Sequence, residues 1–295
     1  MSPHHVLLYA LPLLLAASLT EAAVLSRHQP GRYDWKAYRV SMFDLAGRQL
    51  LNLLPLSVAS AVFAVVWPHR LTTITLDSIW SFLLLFIGEE FFYYWYHRAA
   101  HRVRWFWATH AVHHSPGQLN LASAYRLGWT GKLTGTALFF APLVWIGFPP
   151  QTVLLTLALN LLYQFWLHAT WIPRLGWLEY VLNTPSAHRV HHASNLDYLD
   201  ANFGGVLIVF DRLFGTYAAE REDQPCRYGL VKPVDGHRLF EVEFHVWRDI
   251  WRDLRGAHRL RDVAGYLLRP PGWRPDGPGE TTEELRYRQK NAAAP

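Results

Sequence analysis

Three histidine clusters carry most of the information in this sequence: His97-Arg-Ala-Ala-His101, His110-Ala-Val-His113-His114 and His188-Arg-Val-His191-His192. Residues three and four positions apart share one face of a helix, so each cluster can direct all of its imidazoles at one point. A first-row metal ion takes about four to six ligands, so these eight imidazoles are too many for one ion and suit two ions held close together. Solvated surface histidines and a pH-sensing cluster are the alternative interpretations.

The composition predicts a membrane protein. Hydrophobic residues make up 51% of the chain and charged residues only 17%, whereas charged residues are about 25% of a typical soluble domain. The single cysteine, Cys226, excludes an intrachain disulfide and a cysteine-based metal site. The arginines behind the net charge of +5 lie beside apolar segments and near the C-terminus, which fits an anionic membrane surface. No nucleic-acid-binding motif, Gly-rich phosphate loop or GxSxG motif is present, so we expect no nucleic-acid partner.

The apolar segments predict an all-α fold: a multi-pass membrane helical bundle of about four to five spans, with a cytoplasmic helical domain that carries the histidine clusters. The predicted spans are residues 6–25, 45–67 and 74–96, followed by a short hairpin of residues 133–148 and 152–171. A secretory signal peptide is the alternative for residues 6–25, although no lysine or arginine precedes them. The loop after this span is basic and therefore cytoplasmic by the positive-inside rule, and counting spans from it puts every cluster on that face.

We divide the chain into three regions: a first span with its basic loop (1–40), a membrane region with the histidine clusters (41–217) and a cytoplasmic C-terminal tail (218–295). In the tail, residues 239–254 have the pattern of an amphipathic helix. This helix can lie on the membrane surface or pack on the cytoplasmic domain, and the sequence does not separate the two. Beyond Arg269 the tail is rich in arginine and proline, and we expect it to be loosely ordered.

Further side chains are candidates for the same site. His168 ends the predicted hairpin at the depth of the clusters, so we interpret it as another ligand, with a structural histidine as the alternative. Gln164 lies one turn earlier on the same helix face and is a candidate partner of His168. Glu90, seven residues before His97 in an apolar run, needs a partner, and we predict a catalytic role in which it orients a metal-bound histidine. Three residues that flank the third cluster are candidate acceptors for imidazole N–H groups, with loop capping as the alternative: Asn183, Asp200 and Asn202.

With these residues in place, the chain resembles the fatty acid hydroxylase/sterol desaturase superfamily of membrane di-iron oxygenases. The matching segments lie between Glu90 and Tyr217: FFYYWYHR (91–98), HAVHHS (110–115), NLASA (120–124), YQFWLH (163–168), NTPS (183–186), HRVHH (188–192) and residues 198–217. Two departures are Gln164, where fatty acid 2-hydroxylases have a second histidine, and Glu90, where an aspartate is usual. Neither removes a clustered histidine.

The resemblance implies two iron ions, O2 as co-substrate, and hydroxylation or desaturation of a lipid such as a fatty acyl, sterol or ether lipid. The ligands that it implies are His97, His101, His110, His113, His114, His168, His188, His191 and His192. No haem- or flavin-binding segment is evident, so we expect an external electron donor, either a reductase or a reduced pterin. The expected location is an integral, multi-pass one with the active site on the cytoplasmic face, and we favour the bacterial inner membrane over the endoplasmic reticulum.

Our leading hypothesis is therefore an O2-dependent di-iron lipid hydroxylase or monooxygenase. An O2-dependent lipid or sterol desaturase is the alternative enzyme, because both reactions begin with hydrogen abstraction at the same kind of centre. A non-catalytic metal-binding membrane scaffold is the alternative from another class. A metal transporter fits less well, because its ligands should lie along a path near mid-membrane, whereas these clusters fall at the ends of predicted spans.

Overall fold

The computed structural model describes residues 3–28, 30–54 and 57–292, with side chains from residue 9 onward. Every regular element among these residues is a helix, and the extended segments form only two isolated bridges, Leu182 with Leu207 and Ala193 with Tyr228. The predicted all-α class is therefore confirmed. The helices are α1 Pro3–His28, α2 Trp35–Leu51, α3 Val58–Val66, α4 Ile79–Arg102, α5 Arg104–His114, α6 Ala141–Ile146, α7 Pro150–Leu167, α8 Pro185–His191, α9 Val209–Phe214, α10 Leu239–Arg255, α11 Leu260–Leu268 and α12 Thr282–Ala292.

Helices α4 and α5 are joined by one extended residue. A capping box of Ser78 and Ser81 starts α4, and Val103, with φ −121° and ψ 115°, ends it before α5 begins at Arg104. This break folds α5 back against the end of α4, so that the ring of His110 meets that of His97. The local geometry thus brings two of the three clusters together.

An apolar layer holds α4 in place away from the histidines. Phe63 of α3, Leu85 of α4, Leu143 of α6 and Val153 of α7 are all buried in one cluster. The predicted hairpin segments fold as α6 and α7, and Pro150 occupies the first turn of α7, where a missing backbone N–H costs nothing. The layer fixes the direction in which the C-terminal ends of α4 and α7 point.

The predicted span at residues 45–67 is wrong as a single helix. Helix α2 ends at Leu51, and the side chain of Ser57 caps the first turn of α3 by accepting from Ser60 N. With nine residues, α3 is about 14 Å long, roughly half of a bilayer core. Helix α4 also begins at Ile79 rather than at residue 74.

Within the described residues, one helix is long and apolar enough to cross a membrane, the 20-residue segment Tyr9–His28 of α1. A signal sequence near the N-terminus has the same length and composition. The multi-pass topology and the three region boundaries therefore stay predictions.

The C-terminal region is ordered and packs on α5. Helix α10 matches the predicted amphipathic helix, and its Val246 and Ile250 pack against Ala108 and Ala111 of α5, so packing is one role of its apolar face. The expectation of loose order beyond Arg269 is wrong for residues 270–292. Helix α12 begins with reciprocal hydrogen bonds between Thr281 and Glu284. They form a capping box, which the sequence analysis did not identify.

Candidate metal centre

The predicted ligands lie at the C-terminal ends of four helices. His97 and His101 are in the last two turns of α4, and His114 is the final residue of α5. His168 is the C-cap of α7, and His192 is the C-cap of α8. A helix C-terminus carries partial negative charge, so four such ends around one place favour a cation.

The nine imidazoles form two adjacent groups, and within each group the candidate ligand atoms lie within 4.8 Å of one another. The first group contains five residues, His97, His101, His110, His114 and His191, and the second contains four, His113, His168, His188 and His192. The rings of His114 and His192 connect the two groups, with centroids 4.4 Å apart.

Each HxxHH motif is divided between the two groups. In each motif the residues four positions apart share a group, whereas the middle histidine, His113 or His191, belongs to the other group. The expectation that every cluster converges on a single point is therefore wrong for both HxxHH motifs. One turn of helix instead bridges two neighbouring sites.

The Nε2 atoms of each group have the spacing of ligands on one ion. In the first group, His110 Nε2 lies 3.0 Å from His97 Nε2 and 3.2 Å from His114 Nε2. In the second, His188 Nε2 lies 3.2 Å from His168 Nε2 and 3.1 Å from His192 Nε2. Two nitrogens each about 2.1 Å from a metal are about 3.0 Å apart at a right angle and about 3.4 Å apart at the tetrahedral angle. The donor set fits two metal ions.

Two buried nitrogens of the first group support the same interpretation. The Nε2 atoms of His101 and His191 have no hydrogen-bond partner. An unpaired buried polar atom costs about 1–3 kcal/mol, so it requires an explanation. A metal ion held by the first group would accept both lone pairs.

Backbone carbonyls orient four of the rings. Each of these rings places Nδ1 at hydrogen-bond distance from a carbonyl oxygen, and an Nδ1–H that donates there leaves Nε2 with a free lone pair. The pairs are His97 with Phe203 at 2.8 Å, His191 with Ala201 at 2.9 Å, His113 with Arg126 at 2.9 Å and His168 with Gln164 at 2.9 Å.

Burial keeps the imidazoles uncharged. It lowers the pKa of His113 to about 4 and the pKa of His191 to about 3. Burial, followed by the neighbouring imidazoles, also lowers the pKa of His114, His188 and His192. These histidines are therefore neutral near pH 7, in the form that binds metal ions.

The loop after α8 supplies two of the carbonyl acceptors because its backbone bends twice. Asp200 and Asn202 have φ values of 54° and 58°, in the left-handed region that Asp and Asn tolerate better than other side chains. The Asn202 amide fixes the bend by donating to Ala187 O at 2.9 Å and to Ala218 O at 2.8 Å. The loop thereby turns the carbonyls between and after these residues toward His191 and His97.

The other predicted partners make different contacts from those expected. Asn183 Nδ2 donates to Gly204 O at 2.6 Å, and neither Asn183 nor Asn202 bonds to an imidazole among the described contacts. Asp200 Oδ1 lies 3.8 Å from His101 Nδ1, while its other oxygen accepts from Arg102 at 2.7 Å. Gln164 does hold His168, but through its backbone carbonyl rather than its amide. Backbone carbonyls take the role that was predicted for these side chains, because the fold fixes the position of the main chain.

Glu90 acts on the loop rather than on a ring. Its Oε2 accepts from Val206 N at 2.9 Å and from Leu207 N at 2.8 Å, and its Oε1 accepts from Asn160 Nδ2 at 2.6 Å. The predicted direct contact with a histidine is absent from its described hydrogen bonds. Glu90 instead anchors the segment that presents the Phe203 carbonyl to His97, which makes it a positioning residue.

Arg126 is a site residue that the sequence interpretation missed. Its side chain is fully buried and donates to Ser41 Oγ at 3.0 Å, Ser115 Oγ at 2.9 Å and Ala37 O at 2.9 Å. These bonds fix the residue whose carbonyl orients His113. A signal was available, because Arg126 is the one charged residue in the stretch 119–131, and a lone charge in such a stretch needs buried partners.

Comparisons with known proteins agree with this geometry. The family model for "Fatty acid hydroxylase" matches residues 82–216, a range that contains all nine grouped histidines. No solved structure gives a significant match to the chain.

Three curated relatives illustrate the similarity. The chain is 37% identical to an alkylglycerol monooxygenase of Homo sapiens over 90% of its own length and 58% of the relative. It is 36% identical to an alkylglycerol monooxygenase of Danio rerio over 78% of its length and 51% of that relative. An ornithine lipid hydroxylase of Rhizobium tropici is 26% identical over 66% of the chain and 63% of the relative. The chain thus spans about half the length of the alkylglycerol monooxygenases that it matches.

Proposed function

We propose that the chain, whose residues 82–216 match the fatty acid hydroxylase family, is a membrane-bound, non-haem di-iron monooxygenase that hydroxylates a C–H bond of a lipid. The observation that carries the proposal is the pair of adjacent histidine groups, with five and four imidazoles. An all-imidazole set suits iron, zinc or copper rather than calcium or magnesium. A structural zinc site needs four ligands, often including cysteine, so nine histidines exceed that purpose.

Each group would hold one ion, the five-histidine group the first and the four-histidine group the second. When bound, the iron pair supplies the activation of O2. The overall reaction balances as RH + O2 + 2 electrons + 2 protons giving ROH + H2O. The electrons come from an external donor, for which a reductase and a reduced pterin are the two candidates.

The chain's own residues hold and orient the site. The carbonyls of Ala201, Phe203, Arg126 and Gln164 keep Nδ1 protonated, so that Nε2 faces the centre of each group. Burial of most of the rings limits their contact with water, and the helix C-termini favour the positive charge of the ions. These features suit an oxidising reaction from which water must be kept away.

Exposed apolar side chains support the membrane location. Ile79, Trp80 and Leu84 of α4 are 62%, 77% and 55% exposed, and Tyr9 and Leu13 of α1 are 70% and 71% exposed. Large apolar side chains exposed along two helices would be covered by lipid in a membrane. The histidine groups lie at the opposite end of α4 from Ile79, which fits a centre at the cytoplasmic face of a multi-pass protein, as predicted.

The test is metal content and product formation by protein purified in detergent. We expect about two iron atoms per chain, and a marked loss of iron in His113→Ala. The matched control is His258→Ala, which changes an exposed histidine outside both groups. A chain that binds no stoichiometric iron after reconstitution would contradict the di-iron proposal.

Isotope incorporation separates the alternatives. With 18O2, a chemical reductant and a mixed membrane-lipid extract, a monooxygenase gives a lipid product that carries one 18O. A desaturase gives a new double bond without label. Two bound iron atoms with neither product would favour the non-catalytic scaffold.

A further inference from the structure

A chamber opens from the two histidine groups toward the C-terminal region. Its volume is about 550 Å³, within the range of small-molecule sites. His101, His114, His191 and His192 form its inner end, so it reaches both groups. These four side chains are at most 8% exposed. A molecule in this chamber therefore lies directly against the candidate metal centre.

The wall next to the histidines is apolar. The Trp107 ring lies 5.3 Å from the ring of His101 and 5.7 Å from that of His114, measured between centroids. Leu230 and Val246 continue this wall, and both belong with Trp107 to the apolar cluster between α5 and α10. An alkyl group fits here, since a polar group would lose its water without gaining a partner.

The outer wall comes from a part of the chain that the family model does not cover. Segments 229–234 and 270–274 line the chamber, whereas the family match ends at residue 216. Helix α12 ties this wall to the loop after α8, because Arg286 donates to Leu196 O at 2.9 Å and to Leu199 O at 2.7 Å. The wall is thus a fixed part of the fold that lies outside the family match.

Ion pairs surround the mouth. Lys232 of segment 229–234 pairs with Glu280, Arg104 pairs with Asp253 at 2.6 Å, and Arg248 pairs with Glu241 at 2.7 Å. Lys232 and Arg248 are 73% and 60% exposed along their side chains, so this end meets solvent. Since Lys232, Arg104 and Arg248 each have a carboxylate partner, the mouth suits an uncharged or zwitterionic polar end rather than a strongly charged one.

We propose that this chamber receives the alkyl chain of an uncharged or zwitterionic lipid and that segments 229–234 and 270–274 select it. The inference rests on the proposed function and names the substrate class of that site. The occupant is the substrate rather than the electron donor, because a reacting C–H bond must approach within about 3–3.5 Å of the reacting atoms. Electrons can instead cross intervening protein, so the donor does not need to enter the chamber.

The experiment uses photo-crosslinking on zinc-loaded protein, which cannot turn over. The probe is a long-chain alcohol with a diazirine in its alkyl chain, and the labelled peptides are mapped by mass spectrometry. We expect label on peptides that contain residues 229–234 or 270–274. Leu230→Arg should reduce this label by about tenfold or more, because the new charge would be buried beside the chain.

Two further variants complete the design. Val231→Arg also lines the chamber but changes a 47% exposed side chain, so it tests the site even if Leu230→Arg loses its zinc and fails to fold. Leu260→Arg, at an 88% exposed position of α11 outside the chamber lining, is the control and should label like the wild type. Label confined to α4, α6 or α7, or label unchanged in both chamber variants, would overturn the proposal.

Parallel assays of iron-loaded protein separate this inference from the proposed function. Crosslinks in the chamber without any oxygenated lipid would support the lipid site and count against the monooxygenase. Oxygenated lipid with crosslinks only outside the chamber would support the monooxygenase and count against the lipid site in the chamber.

Discussion

The two histidine groups are built from the same motifs but differ in their surroundings. Three residues of the five-histidine group line the chamber, whereas His192 is the one residue of the four-histidine group that does so. The first group also contains two buried Nε2 atoms without a partner, on His101 and His191, whereas the unpartnered nitrogen of the second group is His188 Nδ1, on the side of the ring away from its neighbours His168 and His192. The difference suggests that two bound ions would have different roles. The first would face the substrate, and the second would be enclosed by protein.

Removing one ligand from each group gives the largest expected effect. In His168→Ala the second group keeps three imidazoles, whereas in His97→Ala the first keeps four. We therefore expect His168→Ala to lose one iron per chain, and His97→Ala to retain more iron while losing activity by about 100-fold or more. Iron content and Mössbauer spectra of the two variants measure this. Equal metal loss in both would remove the distinction between the groups.

Glu90→Gln should act on the first group alone. The amide keeps one acceptor oxygen in place of two, so it cannot accept both from the backbone N–H groups of Val206 and Leu207 and from Asn160 Nδ2, and the loop behind His97 loosens. We expect activity to fall by about 10–100-fold with smaller loss of iron, seen mainly in the first group's Mössbauer signal. The matched control is Glu89→Gln, because Glu89 accepts from Asn160 and holds no loop amide among its described bonds. An equal effect of both changes would count against the positioning role.

The free energy of unfolding of the metal-free protein should decrease as the pH is lowered. His113 and His191 have pKa values lowered from 6.5 to about 4 and about 3 in the folded chain. Below pH 6.5 the unfolded chain binds more protons than the folded one, so the free energy of unfolding decreases as the pH falls, by up to about 1.4 kcal/mol per pH unit for each histidine.

Denaturant titrations between pH 8 and about pH 3 measure this slope and compare the groups. His113→Ala should remove one histidine's share of the slope down to about pH 4, and His191→Ala should remove its share down to about pH 3. Bound metal should raise the stability and extend the slope to lower pH, because coordinated imidazoles stay unprotonated in the folded chain while the unfolded chain takes up protons. A metal-free protein of constant stability across this range would show that the histidines are not buried in the neutral form.

The smallest effect is expected for Asp200→Asn. Asparagine tolerates the left-handed backbone at this position, so the bend should persist. The lost ion pair with Arg102 is partly exposed, and we expect iron affinity of the first group to fall by only about twofold to fivefold. Metal titration against a chelator measures this. A loss above tenfold would mean that Asp200 acts on His101 across the 3.8 Å that separates them.

The sequence predicted the parts of the site that depend on local periodicity. A spacing of three or four residues put the histidines on helix faces, and the structure brings all nine together, His168 included. The hydrogen-bond partners of the histidine rings were predicted poorly. Asn183, Asp200 and Asn202 were expected as acceptors, but backbone carbonyls serve instead, and every residue has a carbonyl whatever its type. Arg126 was missed for the same reason, since its contribution to His113 is a main-chain atom.

The sequence by itself determined the all-α class and the histidines that form the two groups, because these follow from residue type and short-range spacing. It could not determine that His113 and His191 each lie in a different group from the other two histidines of their own motif. That division depends on how α5 and α8 face each other across α4 and α7. The tertiary structure also decided that the C-terminal region forms a wall of the chamber, because the contacts of Leu230, Trp107 and Arg286 join segments far apart in the chain, and hydrophobic periodicity carries no information on such pairs.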